Sequence, residues 1–378
     1  MANEADINET ALLLKYGDKV CMNLLKDHTT QQNIYWATDS YASTLGEGYT
    51  FYDPITIEKI TGERGDVIRP RALKSKEEQT LRSKDKAEVF TPAWICNAQN
   101  NLIDEQWFGR KDGLFNIPDP DDPHGWINNT EKIVFPDTDG KTWRDYVADT
   151  RLEITCGEAP YLANRYDAVT GQYNADAIHR IGLLDRKLRI VSENTKNSKE
   201  WILWGKIALR STYGFEWQGD NLLLAREALF YTFIEHFKQQ FGEKKFNESK
   251  GNVMPGVAYI VSWNVWQMDG MTYGLPGYKE QLQRRCELEK QYRMQMDDYH
   301  RKKTKMQEEK QSGFYSDDEN FSSILQEPAM LEPPKPCERF CLVKDFFYGL
   351  NIHRKSLKTR DFKDHSAPKQ TFESLLNK

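Results

Sequence analysis

Three acidic residues close apolar runs that could each be a strand: Glu153 in LEITCG, Glu216 in YGFEWQ and Asp269 in SWNVWQMDG. A carboxylate at a strand end can accept two hydroxyl hydrogen bonds from a ribose diol, or one from an exocyclic amine. The turn after the first run reads Thr155, Cys156, Gly157, Glu158, Ala159, Pro160, Tyr161. Gly157 lets backbone approach a ligand closely, whereas Glu158 beside it would repel a pyrophosphate. That pairing disfavours a dinucleotide and suits a zwitterionic or cationic ligand. Tyr161 either lines such a pocket or packs as an ordinary aromatic.

For the three acids to meet, their runs must lie side by side in one sheet. The spacing predicts a helix and buried strand in TWRDYVADTRLEITCG, two helices, a second strand in TYGFEWQ, a helix in GDNLLLAREALFYTFIEHF and a third strand in GVAYIVSWNVWQM. In that last helix Leu222, Leu223, Ala225, Leu229, Phe233 and Phe237 fit one apolar face. Asp220 and Asn221 are expected to cap it. Trp263, Trp266 and Met268 are expected beneath the sheet. Strands alternating with helices of this length indicate an α/β, doubly wound, mostly parallel sheet covered on both faces.

Upstream, residues 1–86 read as an N-terminal cap, with one short amphipathic helix in ALLLKYGDKVCMNLL and a basic segment carrying Arg64, Arg69, Arg71, Lys74, Lys76, Arg82 and Lys84. The basic segment is either a solvated loop and helix or a phosphate-contacting surface. In EVFTPAWIC the threonine can cap a helix that starts at the proline. Residues 109–140, rich in Asp, Pro and Gly, predict a long surface loop. The core domain spans 87–278. A long exposed helical insertion follows over 279–312, then a linker over 313–336, and 337–378 is expected to return to the sheet as a strand within CERFCLVKDFFYGL.

The chain has 378 residues, a net charge of −5 and six cysteines. This excludes a disulfide framework, and a chain that is acidic overall must contact polyanions through a local surface. Cys337 and Cys341 lack the further ligands that zinc needs. With no long apolar run and no signal-peptide pattern at the start, a cytoplasmic location is expected. No G-x-S-x-G elbow supports a hydrolase.

Four motifs in order resemble the S-adenosylmethionine-dependent DNA adenine N6-methyltransferases of restriction-modification systems, over residues 88 to about 275. EVFTPAWIC is similar to that family's Phe-x-Thr-Pro motif, LEITCG to its LDPxCGSG turn, and YGFEWQGDNLLLAREAL to its YGxExxxxxxxxARxNL segment. The resemblance implies a Rossmann-like methyltransferase fold that binds S-adenosylmethionine through Phe90, Thr91, Pro92, Glu153, Thr155, Cys156, Gly157, Ala159, Tyr161, Glu216 and Asp269. Glu216 would then take the ribose and Asp269 the adenine. It also implies double-stranded DNA as a partner.

Two departures stand out. Ala159 and Pro160 replace a second glycine and a small or polar residue, and an alanine there allows close approach if its φ is negative. The family's (Asn/Asp/Ser)-Pro-Pro-(Tyr/Phe/Trp) loop, which accepts from the amino group of a flipped adenine, has no counterpart: Leu275-Pro276-Gly277-Tyr278 and Leu331-Glu332-Pro333-Pro334-Lys335 do not fit it. KDFFYGL and QTFESLLNK resemble the lead-in to that loop. The expectation is therefore a cofactor-binding subunit whose catalytic loop is lost or carried by a partner chain. The alternative is a non-catalytic DNA-binding or scaffold subunit with a methyltransferase-like fold.

Overall fold

A computed structural model describes residues 7–86, 88, 90–138, 140–311, 328, 341–344, 346 and 369–371. These fall into two compact units, one holding residues up to 276 with those from 341 onward, the other residues 277–311 and 328. Among the described residues no helix is long and apolar enough to cross a membrane.

The first unit begins with α1 (Glu9–Tyr16) and α2 (Asp18–Leu25). One helix was expected here. Gly17 divides it, since its φ of 82° leaves the helical region and its N–H caps α1 on the Leu13 carbonyl. Short turns α3 (Ala42–Leu45) and α4 (Ile57–Ile60) lead to α5 (Lys76–Lys86) and α6 (Ala93–Phe108). The latter does not start on a Thr91 cap as expected: Pro92 is extended, and the first helical N–H, on Ala93, donates to Asp167 at 2.9 Å. The expected loop at 109–140 contains an antiparallel hairpin of β1 (Asn116–Pro118) and β2 (Trp126–Asn128). A Thr142/Asp145 capping box opens α7 (Trp143–Ala148).

The sheet that matters for the site is parallel, in the order β3 (Arg151–Glu153), β4 (Thr212–Glu216), β5 (Val265–Gln267). Helices α8 (Leu183–Asn194) and α9 (Ser198–Arg210) join the first two strands, and α10 (Gly219–Asn264) joins the last two. In α10 two helices meet at Gly242, whose φ of 81° and ψ of 163° break the ladder. Its second half replaces most of the predicted third strand, leaving three extended residues. The β-branched and aromatic run there favours a strand by propensity, yet Met254, Val257, Ala258 and Val261 are buried at helical spacing, and that packing prevails. Buried Arg226 fastens this half of the molecule together. Its guanidinium donates to the carbonyls of Leu24 at 2.6 Å, Lys26 at 3.0 Å and Val265 at 2.8 Å.

In the second unit α11 (Tyr278–Gln311) is a long helix with few covered side chains, as expected. The expected linker at 313–336 lies almost wholly outside the described residues, as does Cys337. Of 337–378, β6 (Leu342–Lys344) pairs with β7 (Lys369–Thr371) in its own antiparallel ribbon rather than joining the parallel sheet as predicted. The described fold is thus mixed α/β with small sheets, the largest of them three parallel strands.

The N-terminal segment is locked to the start of α10. Gly219 N–H donates to the Trp36 carbonyl at 2.9 Å, and a Cβ on Gly219 would stand 1.9 Å from the Tyr35 carbonyl oxygen. Backbone would have to move to admit it. Gly219→Ala should therefore cost about 2–3 kcal/mol in urea unfolding, with an unchanged m-value. A loss below about 0.5 kcal/mol would show that this contact constrains nothing.

Candidate functional site

A cleft of about 520 Å³ opens at the carboxyl ends of β3 and β4. The two strands place their terminal acids on it. In parallel register Glu153 pairs with Gly214, so Glu216 reaches two residues further and meets the turn that follows β3. Its Oε2 accepts from Gly157 N–H at 3.0 Å, while its Oε1 accepts from Gln218 N–H at 3.1 Å. Glu153 Oε1 accepts from Tyr161 N–H at 3.4 Å, and its Oε2 is buried with no hydrogen-bond partner. Burial raises the pKa of both carboxyls, and at Glu153 the nearby Glu216 charge adds to the effect.

The turn between them is unusual backbone. Thr155, Gly157 and Ala159 all have positive φ, at 49°, 53° and 63°. Two of the three are not glycine, and a β-branched residue in that region is rare. The sequence expectation for Ala159 required a negative φ, and the chain does not meet it. Ala159 is instead fully buried, with its N–H on the Cys156 carbonyl at 2.7 Å. Cys156 N–H continues the ladder to the Phe215 carbonyl at 2.8 Å, and its buried sulfur lies against Gly214. Burial pushes that thiol well up.

Of the residues singled out in the sequence, Phe90, Thr91, Glu153, Thr155, Cys156, Gly157, Tyr161 and Glu216 line this one cleft. Pro92, Ala159 and Asp269 do not. Asp269 closes its own loop, with Oδ1 accepting from the N–H groups of Met271 and Thr272 at 2.8 Å each. The Phe90 ring covers Gly157, 3.6 Å from where a Cβ would be, and is itself covered by the Arg71 guanidinium at 5.1 Å.

Glu158 does not face the ligand side as its sequence position suggested. It turns under the chain at residues 70–73, buried, accepting from Arg71 N–H and the Tyr166 hydroxyl at 2.6 Å each. Its predicted repulsion of a pyrophosphate therefore loses its basis.

Sequence reasoning missed the contributions of Ala37, Phe51, Glu88, Trp217, Gln218 and Asn221 to the lining. It also misread Asp220, which lies inside α10 instead of capping it. Asp220 lies buried in the first turn of α10 and accepts from Arg82 at 2.8 Å, Tyr41 at 2.8 Å and Lys74 at 3.4 Å. Burial alone would raise its pKa, but Arg82 and Lys74 hold it well below the carboxylate range. Arg82 also pairs with Glu88 and donates to Gln218 at 3.1 Å. The only sequence signal was the co-occurrence of unpaired basic and acidic residues in segments predicted to be separate.

Among the described residues no cluster of His, Cys, Asp or Glu could hold a metal ion. Comparison of the chain with protein-family models, curated proteins and solved structures finds no match.

Burial pushes the Glu158 carboxyl up to about 7 from its ordinary 4.5. The folded state therefore holds this proton more tightly than the unfolded chain. The stabilisation is complete below pH 4.5 and is lost as pH rises through 7. Compared with Glu158→Gln, the wild type should lose on the order of 3 kcal/mol between those limits, measured by denaturant titration at several pH values. A difference that does not change with pH would show that folding leaves the Glu158 pKa unshifted.

Proposed function

We propose that this cleft binds S-adenosylmethionine, and that the chain is the cofactor-binding part of a DNA (adenine-N6) methyltransferase-like subunit of a restriction-modification or related DNA-modification system. On this reading β3, β4 and β5 are neighbouring strands of a doubly wound, Rossmann-like sheet, and the ligand lies beyond their carboxyl ends. The observation that carries the reading is the closure of the Cys156-Gly157 turn onto Glu216, with Phe90 and Thr91 on the same cleft. Three of the four motif segments that resemble the family thereby converge on one place.

The donor set fits the group. Glu216 keeps lone pairs beyond those used by its two backbone donors and can accept from a ribose diol. The unpartnered Glu153 Oε2 suits the ammonium of a methionine moiety. The cleft volume is within the range of small-molecule sites. The cofactor supplies an electrophilic methyl group for the adenine amino nitrogen. Because the sequence lacks the Pro-Pro tetrad, a partner chain would contribute that loop in trans, or the loop is lost. Double-stranded DNA would meet cations other than Lys74 and Arg82, which are buried in ion pairs. Lys76 and Lys84 are exposed. The missing tetrad also favours a second reading, a non-catalytic DNA-binding or scaffold subunit that uses the fold without the cofactor.

Calorimetry separates these. The purified chain should bind S-adenosylmethionine, and Glu216→Gln should weaken binding about ten-fold or more, as loss of a charged hydrogen-bond acceptor does. No heat and no thermal shift would leave only the scaffold reading. With labelled cofactor and DNA the chain alone should transfer no methyl group, and transfer would refute the missing-loop assignment.

A further inference from the structure

Part of the cleft wall comes from the N-terminal segment, through Ala37 and Phe51. Phe51 is held in a fixed place. Its N–H donates to Asp39 Oδ1 at 2.8 Å, its carbonyl accepts from Ala37 N–H at 2.9 Å, and Asp53 closes the turn by accepting from the Thr50 N–H at 2.8 Å and hydroxyl at 2.6 Å. The Gln267 side-chain amide ties this segment to the sheet, accepting from Tyr35 N–H at 2.8 Å and donating to the carbonyls of Tyr35 at 2.7 Å and Trp217 at 2.9 Å. One side chain at the end of β5 thus fixes both the N-terminal wall and the residue that follows Glu216.

The Phe51 and Trp217 rings, both half-buried and both lining the cleft, have centroids 6.1 Å apart and planes inclined at 54°. This is an aromatic corner rather than a closed stack, so a third flat ring can lie on one face and meet the edge of the other. It adjoins Glu216 along the chain. A diol held by Glu216 therefore has an aromatic surface next to it, where the base of a nucleoside would be.

We infer that Phe51, with Trp217, forms the seat for the flat heterocycle of a nucleoside ligand, making the N-terminal segment part of the binding site and Phe51 a specificity-determining residue. The inference rests on the cofactor reading above only in taking the ligand to be a nucleoside. A pre-organised wall of this kind costs little ordering on binding.

The test is calorimetry on the full chain with two probes, adenosine and S-adenosylmethionine, for wild type, Phe51→Ala and Phe51→Tyr. Phe51→Ala should weaken both probes by the same factor, about ten-fold, because only their shared base meets the ring. Phe51→Tyr should bind as wild type does, and if the alanine variant fails to fold, Phe51→Leu should show a smaller loss of the same pattern. Unchanged affinity in Phe51→Ala, or a larger loss for S-adenosylmethionine than for adenosine, would overturn the seat while leaving the cofactor reading in place. Wild type binding adenosine but not S-adenosylmethionine would overturn the cofactor reading and leave the seat standing. Binding of neither would overturn both.

Discussion

Glu216 accepts the Gly157 N–H at 3.0 Å and the Gln218 N–H at 3.1 Å, so one buried carboxylate holds the turn after β3 against the chain that enters α10. The rest of the cleft depends on this. Thr155 and Ala159 sit in left-handed backbone that costs roughly 1 kcal/mol or more each. Hydrogen bonds to a charged acceptor contribute about 1.5–3 kcal/mol, enough to offset that strain where the packing also favours the turn. Ala159 shows the packing side of the balance. A glycine would relax the backbone, but the alanine methyl is completely enclosed.

The second constraint is charge neutralisation away from water. Asp220 gathers Arg82, Lys74 and Tyr41, and Glu88 adds a second acceptor for Arg82. Elsewhere Asp104 takes Arg186 at 2.6 Å, and Glu235 takes Arg165 at 2.8 Å together with Arg180. Buried pairs of this kind add little net stability over apolar packing, but losing one partner leaves a costly lone charge. Their effect is to fix which segments lie together. The Asp220 cluster draws the end of α5 and Glu88 to the start of α10, and that sets the position of Phe90 above Gly157.

Much of the site was legible because it is local. A carboxylate at the tip of a short strand, with Cys156-Gly157 after another, is a pattern of adjacent residues whose geometry follows from parallel pairing. Phe90 and Thr91 were legible by resemblance alone. The rest depends on partners distant in sequence. Nothing near Glu158 announces that Tyr166 and the Arg71 N–H will turn it inward. Nothing near Asp220 shows that Arg82 will neutralise it. The helix through residues 256–264 was read as strand because Val, Ile and Trp favour extended backbone locally, and only the packing of Met254, Val257 and Val261 settles the matter. Phe51 carries no signal at all until Gln267 brings its segment to the sheet.

The reach of those contacts has a consequence for how the chain comes together as it is made. Tyr35 meets Gln267 across 232 positions, His28 meets Ser262 across 234, and Leu24 meets Arg226 across 202. Residues 24–36 thus have none of these partners until α10 and β5 have been synthesised. Loop closure over such separations is slow. During that interval the apolar faces of the first two helices remain open to chaperones or to other nascent chains.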